Sequence, residues 1–226
     1  MGTTTLERFS ILKGHLKRLK SCTLIYKFKL PKGVLFTDIS PMLLDFLDYA
    51  PQLQTLLIPP GFHILSAKIP FSKLTQVNLV PDTKCLLYLS TIDNLLNILK
   101  RCPNLPHYRF AYSFPHDDGE RWRSRSAVSH PNLLDLQIFV HYSRKPRGGH
   151  TIFKFLDLPS LTALSIISYE RWGDNIHDGL DCFLAKTSGL LRLETHLPSS
   201  FQTRSYMTKH LKTLASNPES PALIYI

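Results

Sequence analysis

A chain of 226 residues that is 43% hydrophobic can bury a sizeable core without help from disulfides. Its four cysteines, Cys22, Cys85, Cys102 and Cys182, are too scattered for a disulfide framework or a paired-cysteine zinc site, and no apolar run approaches the ~18 residues of a membrane span. The net charge of +10 is concentrated, with eight Lys/Arg in residues 1–33 against Glu7 alone and six in residues 121–147 against Asp135 alone. Such clusters mark either an acidic or nucleic-acid partner or, more plainly, a solvated face and a loop.

The first residues do not form a signal peptide, because Glu7 and the basic residues after it interrupt any apolar core. With no Asn-x-Ser/Thr acceptor in the chain, an intracellular location, cytoplasmic or nuclear, is expected. Thr3–Lys20 carries Leu6, Phe9, Leu12 (or Ile11), Leu16 and Leu19 at helical spacing. Leu24–Leu30 alternates as a strand, with Leu24, Tyr26, Phe28 and Leu30 on one side, and Pro31-Lys-Gly33 turns the chain. Residues 1–33 thus read as a basic helix–strand unit. Pro41–Tyr49 reads as a helix capped by Ser40, with Leu43, Leu44, Phe46 and Leu47 buried.

From there one frame recurs, Pro-x-Leu-x-x-Leu-x-Ile. It is written at Pro51–Ile58, Pro131–Ile138 and Pro159–Ile166, with looser copies at Phe71–Leu79, Pro103–Phe110 and Ser188–Thr195. The leading anchors Leu53, Leu74, Leu105, Leu133, Leu161 and Leu190 stand 21, 31, 28, 28 and 29 residues apart. A recurring spacing of this size is an internal repeat.

Helical patterns fall between the frames. Ile92–Arg101 has Ile92, Leu95, Leu96 and Leu99 on one face and Thr91 as its cap; Thr151–Leu156 is a helical turn; Asp178–Lys186 and Tyr206–Ala215 are helices, and Pro221–Ile226 is a terminal strand. Residues 113–130 and 143–149 read as exposed loops, the first an insertion.

In each frame the alternating apolar residues point to one side and a helix covers them. A single unit cannot bury its own face, so neighbouring strands stack into a parallel sheet. The expected fold is therefore α/β, an irregular solenoid over residues 1–226 with a parallel β-sheet on one side and helices on the other. Leu53, Leu56, Leu74, Val77, Leu133, Leu136, Leu161 and Leu164 should be buried. The residues between them should line the open side in columns: Gln76, His107, Asp135 and Arg192; Asn78, Arg109, Gln137 and Glu194; Phe139, Ile167 and His196. Both charge signs beside an exposed Phe139 suit a protein partner better than a phosphate backbone.

Ala50-Pro-Gln-Leu53, Arg101-Cys-Pro-Asn-Leu105, His130-Pro-Asn-Leu133 and Leu158-Pro-Ser-Leu161, in this order and spacing, resemble the leucine-rich-repeat region of fungal F-box proteins of the basidiomycete type. The resemblance covers about residues 40–200. It implies a substrate-recognition module of a ubiquitin-ligase receptor. Two features depart from that family. No Asn or Cys column follows the strands, so the repeat is expected to be irregular. The F-box that docks the ligase adaptor is not among these residues, so Met1 is expected to begin after it, and an adaptor is a partner only if an F-box lies upstream.

Reactive chemistry is sparse. His116, Asp117, Asp118 and Glu120 lack the one-face spacing of a helix-borne metal site and read as a solvated loop. No nucleophile elbow, phosphate-binding loop or dinucleotide fingerprint occurs. Cys102 falls at a helix C-terminus, where the dipole disfavours a thiolate, and reads as a buried structural cysteine. Trp122 among Arg121, Arg123 and Arg125 is a thin aromatic–basic signal. The expectation is a protein that is not an enzyme, with no cofactor and no metal, binding a protein partner. Binding of nucleic acid or another acidic surface through the basic segments 8–32 and 121–147 is the alternative.

Overall fold

The computed structural model describes Leu12 and residues 15–24, 44–58, 64–66, 68–80, 92–113, 126–141, 152–168, 176–196 and 223–225. The chain is an α/β protein built on a parallel sheet of eight strands. In spatial order these are β1 (Ser21–Thr23), β2 (Thr55–Leu57), β3 (Gln76–Leu79), β4 (His107–Ser113), β6 (Asp135–His141), β8 (Ala163–Ser168), β9 (Arg192–His196) and β10 (Leu223–Tyr225). The strands of this sheet lie side by side in chain order. Two further short strands, β5 (Val128–Ser129) and β7 (Leu156–Asp157), pair with each other.

One local structure starts most of the strands. The anchor leucine closes a turn by donating its N–H to the carbonyl three residues back: Leu53 to Ala50 at 3.1 Å, Leu74 to Phe71 at 3.2 Å, Leu105 to Cys102 at 3.2 Å, Leu161 to Leu158 at 3.2 Å and Leu190 to Thr187 at 3.3 Å. Pro51, Pro103 and Pro159 occupy the second position of three of these turns, where the ring presets the backbone angle that position needs. The next residue then takes two N–H groups from the following unit on one carbonyl. Gln54 O accepts from Thr75 and Gln76, Pro106 O from Leu134 and Asp135, Leu134 O from Thr162 and Ala163, and Thr162 O from Leu191 and Arg192. This shared acceptor locks the register of each parallel pair at its first residue.

A side-chain ladder runs beside it. The residue before the anchor donates to the backbone of the preceding unit: Lys73 Nζ to Pro51 O at 2.8 Å, Asn104 Nδ2 to Ser72 O at 3.0 Å and Asn132 Nδ2 to Pro103 O at 2.9 Å. The asparagine column sought in the sequence was one that follows the strands, a different position from this ladder. The ladder here, of Lys73, Asn104 and Asn132, precedes the strands.

The same turn opens β1, where Leu19 N–H reaches Leu16 O at 3.0 Å and Lys20 O accepts from Gln54 and Thr55. Leu19-x-x-Cys22-x-Leu24 is thus one more frame, with Cys22 beside Leu56. The helix expected over 3–20 does not run through Lys17–Lys20; a strand lies at Ser21–Thr23, and the strand expected at 24–30 lies outside the described residues apart from Leu24. This strand at Ser21–Thr23 is fixed by its pairing to β2.

The inward rows are continuous. Cys22, Leu56, Val77, Tyr108, Leu136, Leu164 and Leu193 form one, and Leu79, Phe110, Ile138, Ile166 and Thr195 the next. All of them are buried, as are the anchors Leu53, Leu74, Leu133 and Leu161. Against these rows pack two helices, α1 (Ile92–Arg101) and α2 (Ile176–Lys186), in a single hydrophobic core.

Helix α1 buries Ile92, Leu95, Leu96, Ile98 and Leu99; Asp93 in its first turn and Lys100 and Arg101 in its last suit the helix dipole. Helix α2 ends at Thr187, whose hydroxyl and N–H both bond Phe183 O. Among the described residues the remaining helical pieces are single 3-10 turns at Asp45–Tyr49, Ile64–Ser66, Phe71–Lys73 and Ile152–Phe155.

The loop expected at 113–130 is corrected at its end, since residues 128–129 form β5, and Val128 and His130 are buried. At its start Ser113 belongs to β4, and residues 114–125 fall outside the described residues. So do the loop at 143–149, the helix at 206–215 and the caps Ser40 and Thr91.

Candidate functional site

The sheet face opposite the core is set by alternation alone: where Leu136 points in, Asp135 and Gln137 point out. The parallel register then lines up its residues. Gln76, His107, Asp135, Ala163 and Arg192 form the first column; Asn78, Arg109, Gln137, Ser165 and Glu194 the second; Ala111, Phe139, Ile167 and His196 the third. All eleven residues expected on this face fall in these columns. For His196 only the backbone position is described.

Their environments differ. His107, Arg109 and Arg192 are exposed, and Gln76, Asn78, Asp135, Gln137 and Glu194 are half-buried. Phe139 and Ile167 are half-buried rather than exposed, and Ala111 beside Phe139 is fully covered. The open face is therefore polar at its N-terminal end and progressively drier toward the third column.

Charge on the face is organised around Asp135. Its carboxylate lies 3.9 Å from His107 Nδ1 and 3.8 Å from Arg192 Nη2, while Arg192 Nε lies 3.8 Å from Glu194. Gln137 Nε2 donates to Ser165 Oγ at 3.4 Å. Asn78 Oδ1 accepts from Val80 N–H at 3.1 Å, which fixes the amide at the end of β3. Arg109, on the central strand β4, has no carboxylate partner among the described residues.

Sequence reasoning passed over Ala163 and Ser165, which complete the first two columns. The looser alternation of Ala163-Leu-Ser-Ile166 gave no polar signal there. It also passed over Leu134 and Leu191, which are exposed beside Thr162 along the rim where the strands begin.

On the core side, Cys102, Tyr108 and His130 form a polar inclusion. His130 Nε2 lies 2.8 Å from Cys102 O, and since a carbonyl only accepts, Nε2 carries the proton. His130 Nδ1 and Tyr108 Oη are buried without a hydrogen-bond partner. Burial pushes the Cys102 thiol up to about 12 against a weaker opposing pull from Arg101, and pushes the Cys22 thiol up to about 11. Burial, then the nearby Cys102, raises Tyr108 well above the ordinary phenol value. A thiol held protonated in this way is not an activated nucleophile.

Among the described residues no three His, Cys, Asp or Glu side chains come together as a metal site, and no helix is long and apolar enough to cross a membrane. The cluster His116–Glu120, Trp122 with its arginines, and the basic residues of segments 8–32 and 121–147 other than Lys17, Arg18 and Lys20 lie outside the described residues. No protein-family model, no curated protein and no solved structure matches this chain.

Proposed function

We propose that this chain is a non-catalytic protein-interaction module, an irregular leucine-rich-repeat solenoid resembling the substrate-recognition repeats of fungal F-box receptors, and that it binds its partner on the open face of the parallel sheet. The observation that carries this reading is the set of three register columns, with Arg109, Asp135 and Arg192 beside the half-buried Phe139 and Ile167. A polar, two-signed surface grading into an apolar strip has the make-up of a protein interface, whose dry centre is ringed by charged and amide groups.

Sequential strand order and the repeated anchor turn support the solenoid part of the reading, since each unit makes the same bonds to the one before it.

The test compares proteins captured by the native chain with those captured by a variant carrying Arg109→Ala, Asp135→Ala, Phe139→Ala and Arg192→Ala together. A partner retained by the first and lost by the second is the expected result. Binding that survives all four changes puts the site elsewhere. Capture of nucleic acid, with affinity falling steeply as salt rises, would favour the basic segments instead.

A further inference from the structure

We infer that Arg109, with the Asn78 amide beside it, is the anchoring point for a carboxylate of an acidic protein segment laid across β3, β4 and β6. This rests on the reading of the open face as a protein-binding surface, and it adds the chemistry of what is bound.

The inference starts from an imbalance. Four of the other titratable residues of the face are engaged with one another: His107 and Arg192 approach Asp135, and Arg192 also approaches Glu194. Arg109 is exposed and unpaired among the described residues, in the middle of the sheet. Its register neighbours are both amides, Asn78 on β3 and Gln137 on β6. Adjacent strands lie about 4.8 Å apart, so these side chains stand within reach of one small group bound over β4.

The donors are arranged for an acceptor. A guanidinium offers parallel N–H groups that match the two oxygens of a carboxylate. With Asn78 Oδ1 occupied by Val80 N–H, that amide presents its NH2 group. Arg109 and Asn78 together thus supply donors to an anion, with no carboxylate among the described residues to occupy them.

The surroundings choose between anions. A nucleic-acid backbone brings a charge every few ångströms and needs several cations along its path. The other described cation of the face, Arg192, lies between Asp135 and Glu194, so that end carries more negative than positive charge and would repel a second phosphate. A single carboxylate over β3–β4, followed by uncharged residues toward Phe139 and Ile167, meets no such repulsion. The chain's net charge of +10 favours approach of an acidic partner at long range.

The experiment titrates the full chain with two fluorescein-labelled peptides. One is Thr-Val-Glu-Val-Thr-Val-Thr and the other has glutamine in place of the glutamate; a single-stranded DNA of about twenty nucleotides serves as the phosphate probe. The acidic peptide should bind at least about tenfold more tightly than its neutral counterpart, the difference a charge-assisted bidentate pair makes. Arg109→Gln should remove that difference, Arg109→Lys should keep part of it, and neither should shift thermal unfolding, because the side chain is exposed.

No binding of the acidic peptide, or a preference that survives in Arg109→Gln, overturns the inference. Equal binding of both peptides that is lost on Phe139→Ser also overturns it, yet leaves the face a protein-binding surface. Tighter binding of the DNA than of either peptide would overturn the protein-binding reading itself.

Discussion

Arg192 reaches Asp135 across an intervening strand. Their strands, β9 and β6, are separated by β8, and Ala163 is the residue between them in the register. Two strand spacings are nearly 10 Å, which a guanidinium can cross only over a small side chain. Nη2 ends 3.8 Å from the carboxylate. Both groups are partly solvated, so the coupling between Asp135→Asn and Arg192→Gln should stay below about 1 kcal/mol in a double-mutant cycle. Ala163→Leu should abolish that coupling by filling the gap, while leaving the fold intact. A coupling unchanged by Ala163→Leu would mean the pair does not pass over this residue.

Core truncation should be far more costly. Leu136 lies between Tyr108 and Leu164 in a fully buried row. Leu136→Ala or Leu164→Ala should lower stability by about 2–5 kcal/mol, through lost burial and the cavity left between units. Urea unfolding followed by circular dichroism measures it, and a loss below 1 kcal/mol (about the size of a surface change) would contradict this packing.

Tyr108→Phe should behave in the opposite way. The hydroxyl is buried and unpaired, so removing it discards a desolvated polar group and sacrifices no hydrogen bond. Stability should be unchanged or higher by up to about 2 kcal/mol. His130→Leu, by contrast, deletes the bond to Cys102 O and should destabilise. If Tyr108→Phe proves the more damaging of the two, the hydroxyl has a partner.

Alkaline pH should weaken the fold through Cys102 and Cys22. In the unfolded chain these thiols ionise near the ordinary 9.0; in the folded chain they hold their protons to about 12 and about 11. Their contribution is therefore fully present below pH 9 and is lost as pH rises from there toward the folded values. The urea midpoint should fall between pH 8 and 10.5, and fall less in Cys102→Ala. In the native state at pH 8, iodoacetamide should label the exposed Cys182 and spare Cys22 and Cys102, as read by peptide mass mapping. Equal labelling of Cys102 and Cys182 would show that the first is not buried.

Much of the sheet was legible because one short frame performs two jobs. In Cys102-Pro-Asn-Leu105 or Leu158-Pro-Ser-Leu161 the proline makes the turn and the leucine spacing makes the strand, so neither depends on distant contacts. Helix α1 was legible for a similar reason, its apolar face being complete within Ile92–Leu99. The frame at Leu19 was hidden because Lys17 replaces the proline and Cys22 replaces a leucine; only pairing with β2 reveals it. The Asn104 and Asn132 ladder was missed because the polar column was sought after the strand instead of before the anchor. At the candidate site, alternation gave the columns but not the pairings within them. Which residue Arg192 would meet depended on the size of Ala163, and which cation stayed free depended on that pairing.

Strand length across the sheet rises from three residues in β1 and β2 to seven in β4 and β6, then declines through β8 and β9 to three in β10. Each strand is bonded only to its neighbours. Opening the sheet from either margin therefore breaks few hydrogen bonds at first and many only when the middle is reached. Amide exchange should follow this gradient, fastest in β1 and β10 and slowest in β4 and β6, with the margins opening as separate low-energy units. Arg109 and Asp135 stand on the two slowest strands. The recognition face would keep its geometry through local fraying that has already released both borders of the sheet.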